Sequence, residues 1–174
     1  MTVPGAEVRG QVLAFVQRYP GVHVRAVERE LHLASRLAAY HLEQLEDEGR
    51  VQCVHETGFS RYFPAVGKPR WSKADVEFLC LMRRPAALRI TLLLAAQGPL
   101  GRLDLGQRLD LARASVSYHL GQLSDAGVVV GALDGRKKLY RLADPEQTLG
   151  RLANFTPLPD DLEPFDAMWL DLLG

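Results

Sequence analysis

Apolar residues recur at helical spacing along the second half of the chain. Three groups predict three successive helices: Leu88, Leu92 and Leu93; Leu105 and Leu109; and Val116, Leu120 and Leu123. Gly127 follows the last group, where a glycine commonly ends a helix. The apolar segments VVVGAL and KLYRL then flank Asp134-Gly135, a dipeptide typical of hairpin turns. The pattern predicts three helices followed by a two-stranded hairpin.

The first half of the chain repeats this pattern. LASRLAAYHLEQLEDEGRV (residues 33–51) aligns without a gap with LARASVSYHLGQLSDAGVV (residues 111–129), at an offset of 78 positions. The same offset takes Leu31 to Leu109 and Tyr62 to Tyr140, so the repeat spans a whole domain. The helices predicted here carry Val12, Phe15 and Val16; Val27 and Leu31; and Ala38, Leu42 and Leu45, and a weaker hairpin is centred on Thr57-Gly58.

Three helices and a hairpin make a winged helix-turn-helix domain. The predicted fold class is therefore mainly α with small β-hairpins (α+β), with two such domains in tandem. Residues 1–66 form the first domain, residues 67–143 the second, and residues 144–174 an acidic helical tail. The segment FPAVGKPRWS (residues 63–72) contains two prolines and a glycine, which is typical of a linker.

The tail contains one more helical pattern. Phe165, Met168, Trp169 and Leu172 lie at i, i+3, i+4 and i+7, and Asp160 or Asp161 is available as a cap. A helix this short is not stable alone, so its apolar side must pack on the chain's own domains or on a second subunit. We expect a homodimer. The sequence leaves open whether the tail instead folds over a basic surface and inhibits binding there.

Charge is distributed unevenly, although the formal net charge is zero. Lysine plus arginine against aspartate plus glutamate gives −1 for residues 1–67, +7 for residues 68–143 and −6 for residues 144–174. The middle block predicts a basic surface that binds an anion.

Several function classes are excluded by the sequence. The chain has no apolar run of membrane-spanning length and does not begin with a signal-peptide pattern, so we expect a cytoplasmic, nucleoid-associated protein without a membrane partner. No phosphate-binding loop, nucleophile motif or acid pair indicates an enzyme, and no cofactor is predicted. Cys53 and His55 share one face of a strand, but two ligands do not complete a metal site.

Residues 83–142 resemble the winged-helix repressors of the arsenical-repressor (ArsR-like) type, most closely in SVSYHLGQLSDAG (residues 115–127). The resemblance implies double-stranded DNA binding, a recognition helix in the major groove and a dimer built by terminal helices. It also implies a structural role for His41 and His119. Two features depart from the family: Ala112 and Ala34 replace the serine that caps the recognition helix, and the paired cysteines of the metal-sensing motif are absent.

The outward side of the third helix in the second domain supplies the candidate DNA contacts. With Val116 and Leu120 facing the core, the helical period directs Tyr118 and Gly121 outward. The candidates for the major groove are Arg113, Ser115, Ser117, Tyr118 and Gln122. The hairpin tip carries Arg136, Lys137 and Lys138, which are expected to contact phosphates or the minor groove. For Tyr118, packing on a neighbouring helix is the alternative.

The first domain offers the candidates Ser35, Arg36, Tyr40, Gln44 and Arg61. Glu43 stands where the second domain has Gly121 and would repel phosphate. Both direct DNA binding and a protein-contact or ligand-sensing role stay open for this domain.

The sequence as a whole predicts a double-stranded-DNA-binding transcriptional regulator that acts as a repressor, with recognition helices in the major groove and basic wings on the backbone or minor groove. The alternative is a tandem winged-helix assembly or chromosome-organisation subunit with little sequence-specific DNA binding. The near-neutral first domain and the apolar tail favour that alternative, whereas the basic second domain does not. A small-molecule effector stays open.

Overall fold

The computed structural model describes residues 4–56, 59–65, 71–158, 161 and 165–173. The chain divides into two compact units, Met1–Val76 and Glu77–Gly174, and the division falls inside helix α4 (Lys73–Met82). The acidic tail is grouped with the second unit. The predicted turn at Thr57-Gly58, the middle of the predicted linker and the candidate cap Asp160 lie outside the described residues.

The first unit contains a helix-turn-helix followed by a hairpin. Its elements are α1 (Pro4–Arg18), α2 (Val24–Glu30), α3 (Ser35–Asp47), β1 (Val51–Glu56) and β2 (Phe59–Pro64). The apolar positions that predicted these helices form the core, with Val12, Val16 and Val27 of the first two helices and Leu42 and Leu45 of α3 buried. The hairpin strands are antiparallel, and Val22 adds an isolated bridge to Tyr62.

The ends of the predicted linker belong to the folded first unit, which corrects the prediction for residues 63–72. Phe63 is fully buried, and its ring lies 6.0 Å from the ring of Trp71. The Trp71 indole Nε1 donates a hydrogen bond to the Pro64 carbonyl oxygen at 3.2 Å. Packing of these two large aromatic side chains stabilises an ordered conformation at both ends of the segment, so these ends do not act as a flexible linker.

The second unit repeats this arrangement with a larger sheet. Its elements after α4 are α5 (Pro85–Gln97), β3 (Leu100–Gly101), α6 (Arg102–Leu109), α7 (Arg113–Asp125), β4 (Val129–Asp134), β5 (Lys137–Leu142), α8 (Pro145–Leu152) and α9 (Asp166–Leu173). The sheet has the antiparallel order β3-β5-β4, so the predicted two-stranded hairpin carries a third short strand. Leu100 pairs with Tyr140, and the Val22 bridge to Tyr62 is its counterpart at the offset of 78.

Glycines end the third helix of each unit. Gly127 has φ +70° and Gly49 has φ +67°, a backbone conformation that glycine adopts at little cost. After α7 the amide of Val128 donates to the Leu123 carbonyl oxygen at 2.9 Å, and this bond closes the last turn. The prediction that Gly127 stops the helix matches the structure.

The wing turn lies one residue later than predicted. Asp134 pairs with Lys137, so the two residues of the turn are Gly135-Arg136 rather than Asp134-Gly135. Gly135 has φ +60°, which the first position of such a turn requires. Arg136 therefore occupies the tip of the wing.

Among its described residues, the tail contains helices α8 and α9, which belong to the second unit. The Asp144 side chain accepts a hydrogen bond from the Gln147 amide at 2.9 Å and caps α8, a helix that the sequence pattern did not distinguish within the tail. Helix α9 begins at Asp166, later than predicted, so Asp161 does not cap it. Asp161 is buried instead, and its carboxylate accepts a hydrogen bond from the Leu158 amide at 3.3 Å.

The predicted apolar side of α9 packs within its own unit, against α5 and α8. Its members Phe165, Met168, Trp169 and Leu172 are all half-buried. The Trp169 ring lies 6.2 Å from Phe155, and the Arg89 guanidinium lies 5.6 Å from the Phe165 ring centroid. The predicted fold class, mainly helical with small antiparallel sheets, is confirmed. Within the described ranges, no helix has the length and apolar character needed to cross a membrane.

The core of the second unit yields a stability prediction. Leu120 is almost completely buried on α7, so Leu120→Ala should lower the free energy of unfolding by about 2–5 kcal/mol through reduced burial and a residual cavity. Leu170→Ala is the matched control, because Leu170 is 65% exposed on α9 and its truncation should change stability by less than about 0.5 kcal/mol. Urea denaturation of both variants tests this. Equal destabilisation would contradict the assigned core.

Candidate nucleic-acid interface

Helix α7 exposes the side that the helical period directs outward. Val116, Leu120 and Leu123 are buried, which turns the opposite side to solvent. The candidate residues are distributed as follows: Arg113, Ala114, Tyr118 and Gly121 are exposed, and Ser115, Ser117 and Gln122 are half-buried. Tyr118 is 58% exposed and meets the His119 ring edge-on at 5.1 Å. Its ring is therefore not buried against a neighbouring helix.

Two arginines from outside α7 reach this surface. Arg84, which precedes α5, donates a hydrogen bond to Gln122 Oε1, and Gln122 Nε2 donates to the Tyr118 hydroxyl oxygen at 3.0 Å. Arg102 at the start of α6 lies with Nη1 3.4 Å from Ser117 Oγ. Neither arginine was among the predicted site residues, because neither lies on the recognition helix or the wing. No periodic signal in the sequence marks either one.

The first turn of α7 has no side-chain cap. Ala112 occupies the N-cap position and is exposed, so the N-cap residue has no side-chain oxygen to accept from the free N–H groups of that turn. Such N–H groups, together with the helix dipole, favour an anion. Arg113 follows directly and adds a full positive charge at the same end of the helix.

The wing presents three exposed cations, Arg136, Lys137 and Lys138. Lys138 lies along the sheet, with Nζ 5.4 Å from the centroid of the Tyr140 ring. Its stem crosses Gly131, where an added Cβ would come within 2.6 Å of Lys138 Cε. A side chain at position 131 would therefore have to displace the lysine stem from its place along the sheet.

The corresponding surface of the first unit is different. Ser35 and Arg36 are exposed, Tyr40 is 54% exposed and Gln44 is half-buried, and Glu43 is exposed with them on α3. At the repeat offset, Leu37 replaces Ser115, so an apolar and an acidic residue stand where the second unit has a hydroxyl and a glycine.

Arg61 does not lie on that surface, which corrects the prediction that it contacts DNA. The side chain is 5% exposed, and Nη1 donates a hydrogen bond to the Gly21 carbonyl oxygen at 3.0 Å. Residues 51–64 contain no other lysine or arginine. The first hairpin therefore offers no exposed cation, because its single arginine holds the chain ahead of α2.

The sulfur and imidazole groups of the first hairpin form a small polar cluster. Cys53 pairs across the strands with Tyr62, and His55 Nδ1 lies 3.0 Å from Ser60 Oγ. Burial raises the pKa of the Cys53 thiol, and burial followed by the nearby Cys53 raises the pKa of Tyr62 to about 12. No group of three or more potential metal ligands occurs within the part of the chain that the structure describes.

Helices α3 and α7 carry histidines next to their exposed tyrosines. His41 is 3% exposed, and neither ring nitrogen has a hydrogen-bond partner among the described residues. Burial, and secondarily Arg9, lowers the pKa of His41. Burial, and secondarily Arg84, lowers the pKa of the half-buried His119. Both rings are withdrawn from the outward side of the helix, in agreement with the structural role that the resemblance implies.

Two family descriptions match the chain, one in each half. A family described as "N-terminal HTH domain" matches residues 6–76, and one described as "Helix-turn-helix domain" matches residues 82–132. These matches establish two helix-turn-helix domains in one chain.

A named relative extends this result. The chain is 37% identical over 82 residues to the arsenic resistance transcriptional regulator ArsR1 of Pseudomonas putida. The match covers 47% of this chain and 63% of the length of that relative. The predicted similarity to ArsR-like regulators with tandem helix-turn-helix domains is confirmed.

Solved structures add only distant similarities. The DIP2311 protein of Corynebacterium diphtheriae is 22% identical, with a TM-score of 0.32, and the match covers 80% of this chain and 27% of that one. ScpB of Mycobacterium tuberculosis is 13% identical, with a TM-score of 0.31, and the match covers 87% of this chain and 98% of that one. Both TM-scores are too low to establish a common arrangement.

The buried histidine of α3 generates a pH prediction. The unfolded chain takes up a proton at His41 below about pH 6.5, but the folded chain resists it until a lower pH. Stability that is present above about pH 6.5 therefore decreases as the pH falls. We expect His41→Leu to reduce the fall in urea midpoint between about pH 7.5 and about pH 5.5. His32→Asn, at an exposed position with φ +53°, is the control and should leave that fall unchanged.

Proposed function

We propose that this ArsR-like tandem helix-turn-helix protein is a double-stranded-DNA-binding transcriptional regulator, and that its second unit makes the principal DNA contact. In the proposed complex α7 enters the major groove, with Arg113, Ser115, Ser117 and Tyr118 near base edges or the adjacent backbone. The wing cations Arg136, Lys137 and Lys138 contact phosphates or the minor groove.

The observation that supports this most directly is the grouping of exposed polar and basic residues on one helix-turn-helix unit. Arg113, Tyr118 and all three wing cations are exposed in the presence of the tail. Helix α9 packs on α5 and α8 instead of these residues, which favours an accessible surface over an inhibited one. A helix-turn-helix reads DNA with the N-terminal part of its second helix, and that part of α7 has exposed small and hydrogen-bonding side chains.

The difference between the units supports a lesser DNA contribution from the first. Glu43 adds a carboxylate to the exposed side of α3, and the first hairpin holds its single arginine in a buried hydrogen bond. Ser35, Arg36, Tyr40 and Gln44 are proposed as secondary contacts. The alternative function, that of an assembly subunit, gains support from this unit, whereas the exposed basic residues of the second unit favour DNA.

Repression and homodimer formation complete the proposal, and both are what the resemblance implies. A two-fold dimer would bind an operator with matching two-fold symmetry. Arsenic or a metal is not part of the proposed signal. The chain has two cysteines, Cys80 is 1% exposed, and Cys53 lies in the other unit.

The direct experiment selects duplexes that bind the full chain from a random double-stranded library and measures their affinity by fluorescence anisotropy across a salt series. A regulator should give a preferred sequence and a steep decrease of affinity with salt. Weak binding without sequence preference would contradict the proposal.

The wing generates the first DNA prediction. Replacing Arg136, Lys137 and Lys138 together by glutamine should weaken binding and make the salt dependence shallower. The slope of log affinity against log salt should fall by roughly 0.9 for each phosphate that the variant leaves unneutralised, and therefore by up to about 3. Arg18→Gln, an exposed cation at the end of α1, is the control and should leave the slope unchanged. An unchanged slope in the triple variant would refute the wing assignment.

The outward side of α7 generates the second DNA prediction. Gly121→Glu places on α7 the carboxylate that α3 carries at Glu43, and an added Cβ at Gly121 meets no atom within 4 Å. Repulsion from DNA phosphate should weaken binding about tenfold or more. Gly121→Gln is nearly isosteric with the glutamate variant and uncharged, and it should retain most of the affinity. Equal binding by the two variants would show that this side of α7 does not face DNA.

A further inference from the structure

The recognition helix carries a chain of hydrogen bonds with a fixed direction. Arg84 donates to Gln122 Oε1, and Gln122 Nε2 donates to the Tyr118 hydroxyl oxygen at 3.0 Å. Gln122 is half-buried between its two partners, and Tyr118 at the outer end is 58% exposed. The chain thus runs from a cation beside α5 to the exposed surface of α7.

Only one direction is chemically allowed. A guanidinium has five N–H donors and no acceptor, so the Gln122 atom that faces Arg84 must be the carbonyl oxygen. The amide nitrogen then faces Tyr118, and an amide nitrogen only donates. The Tyr118 oxygen must accept that bond. Its own proton cannot bond back to Gln122 and is directed elsewhere.

From this we propose that Arg84 and Gln122 hold Tyr118 as an outward hydrogen-bond donor, which makes Tyr118 selective for an acceptor on DNA. The inference rests on the proposed function. Gln122 is then a positioning residue whose amide is already engaged, instead of a side chain that reads a base. This revises the direct DNA contact expected for it.

The chemistry of the partner follows from the donor. Acceptors on duplex DNA are the phosphate oxygens and, in the major groove, purine N7, guanine O6 and thymine O4. The exocyclic amino groups of adenine and cytosine present donors. Two donors facing each other leave one unsatisfied, so Tyr118 should disfavour those groups.

The first unit has no arginine at the position that corresponds to Arg84. Tyr40 and Gln44 repeat Tyr118 and Gln122 at the offset of 78, but the position of Arg84 is occupied by Ala6. An alanine has no side-chain donor that orients the glutamine. The directed chain therefore requires a residue that only the second copy contains, which agrees with the second unit as the principal DNA contact.

A double-mutant cycle on the full chain tests the direction. Tyr118→Phe removes the outward proton and should weaken binding to the selected duplex about 2- to 12-fold, the range for one hydrogen bond. Gln122→Glu keeps the acceptor for Arg84 but replaces the amide nitrogen by an oxygen, so Tyr118 would donate to Glu instead of DNA. Tyr118→Phe should then weaken binding no further in the Gln122→Glu background.

The cycle separates this effect from simple charge repulsion, because a charge effect adds to the Tyr118→Phe effect and leaves that effect equal in both backgrounds. Equal weakening in the two backgrounds, or no weakening by Tyr118→Phe in the otherwise native chain, would overturn the inference. Thermal melting of each variant shows whether it is folded. Arg84→Lys, which also only donates, should preserve the Tyr118→Phe effect better than Arg84→Ala.

Modified duplexes identify the acceptor. If it is purine N7, 7-deazapurine at one position should weaken binding by the native protein and have no effect on binding by Tyr118→Phe. If it is a phosphate, replacing that phosphate by a methylphosphonate should weaken binding by the native protein and have no effect on binding by Tyr118→Phe. A native protein that binds no duplex at low salt would refute the proposed function itself, whereas native binding that is indifferent to Tyr118→Phe would refute only this inference.

Discussion

The burial of one side of α3 and of α7 determines which residues these helices expose on the surface of each unit. Val116, Leu120 and Leu123 pack inward in the second unit, and Ala38, Leu42 and Leu45 do so in the first. Because a helix turns 100° per residue, fixing three inward positions also fixes the outward ones. The exposure of Tyr118 and Tyr40 follows from core packing before any DNA contact is considered.

The two units show that a common core leaves the surface free to diverge. The glycine stops, the bridge to the second hairpin strand and the histidine of the third helix recur at the same offset. Some exposed residues recur, such as Tyr40 and Tyr118, but others do not: Glu43 stands in place of a glycine, and the first hairpin has no counterpart of the three wing cations. Packing restricts the interior to residues of similar size and polarity, whereas exposed positions are restricted only by what they contact.

Local periodicity was sufficient to predict the helices and strands with repeating apolar patterns and the outward side of α7. It was not sufficient for the packing of Trp71 on Phe63, the third strand at Leu100, or the burial of Arg61. Each of these depends on a partner distant in the chain. The contacts of Arg84 and Arg102 could not be predicted for the same reason, since a single arginine has no periodic signal. The start of α9 was misplaced because a short apolar pattern does not define its own cap.

Arg83 and Arg84 are consecutive but bond to different parts of the second unit. Arg83 is buried, donates to the Thr156 carbonyl oxygen at 2.6 Å and lies 4.3 Å from the Phe155 ring centroid, while Arg84 bonds to Gln122 on α7. Phe155 in turn contacts Trp169 of α9. A subunit or ligand that repacked α9 would disturb the contact between Phe155 and Arg83. Arg83 is joined by one peptide bond to Arg84, which bonds to Gln122. Two consecutive residues thus connect the contacts of α9, through Phe155, with those of α7, through Gln122, inside one unit.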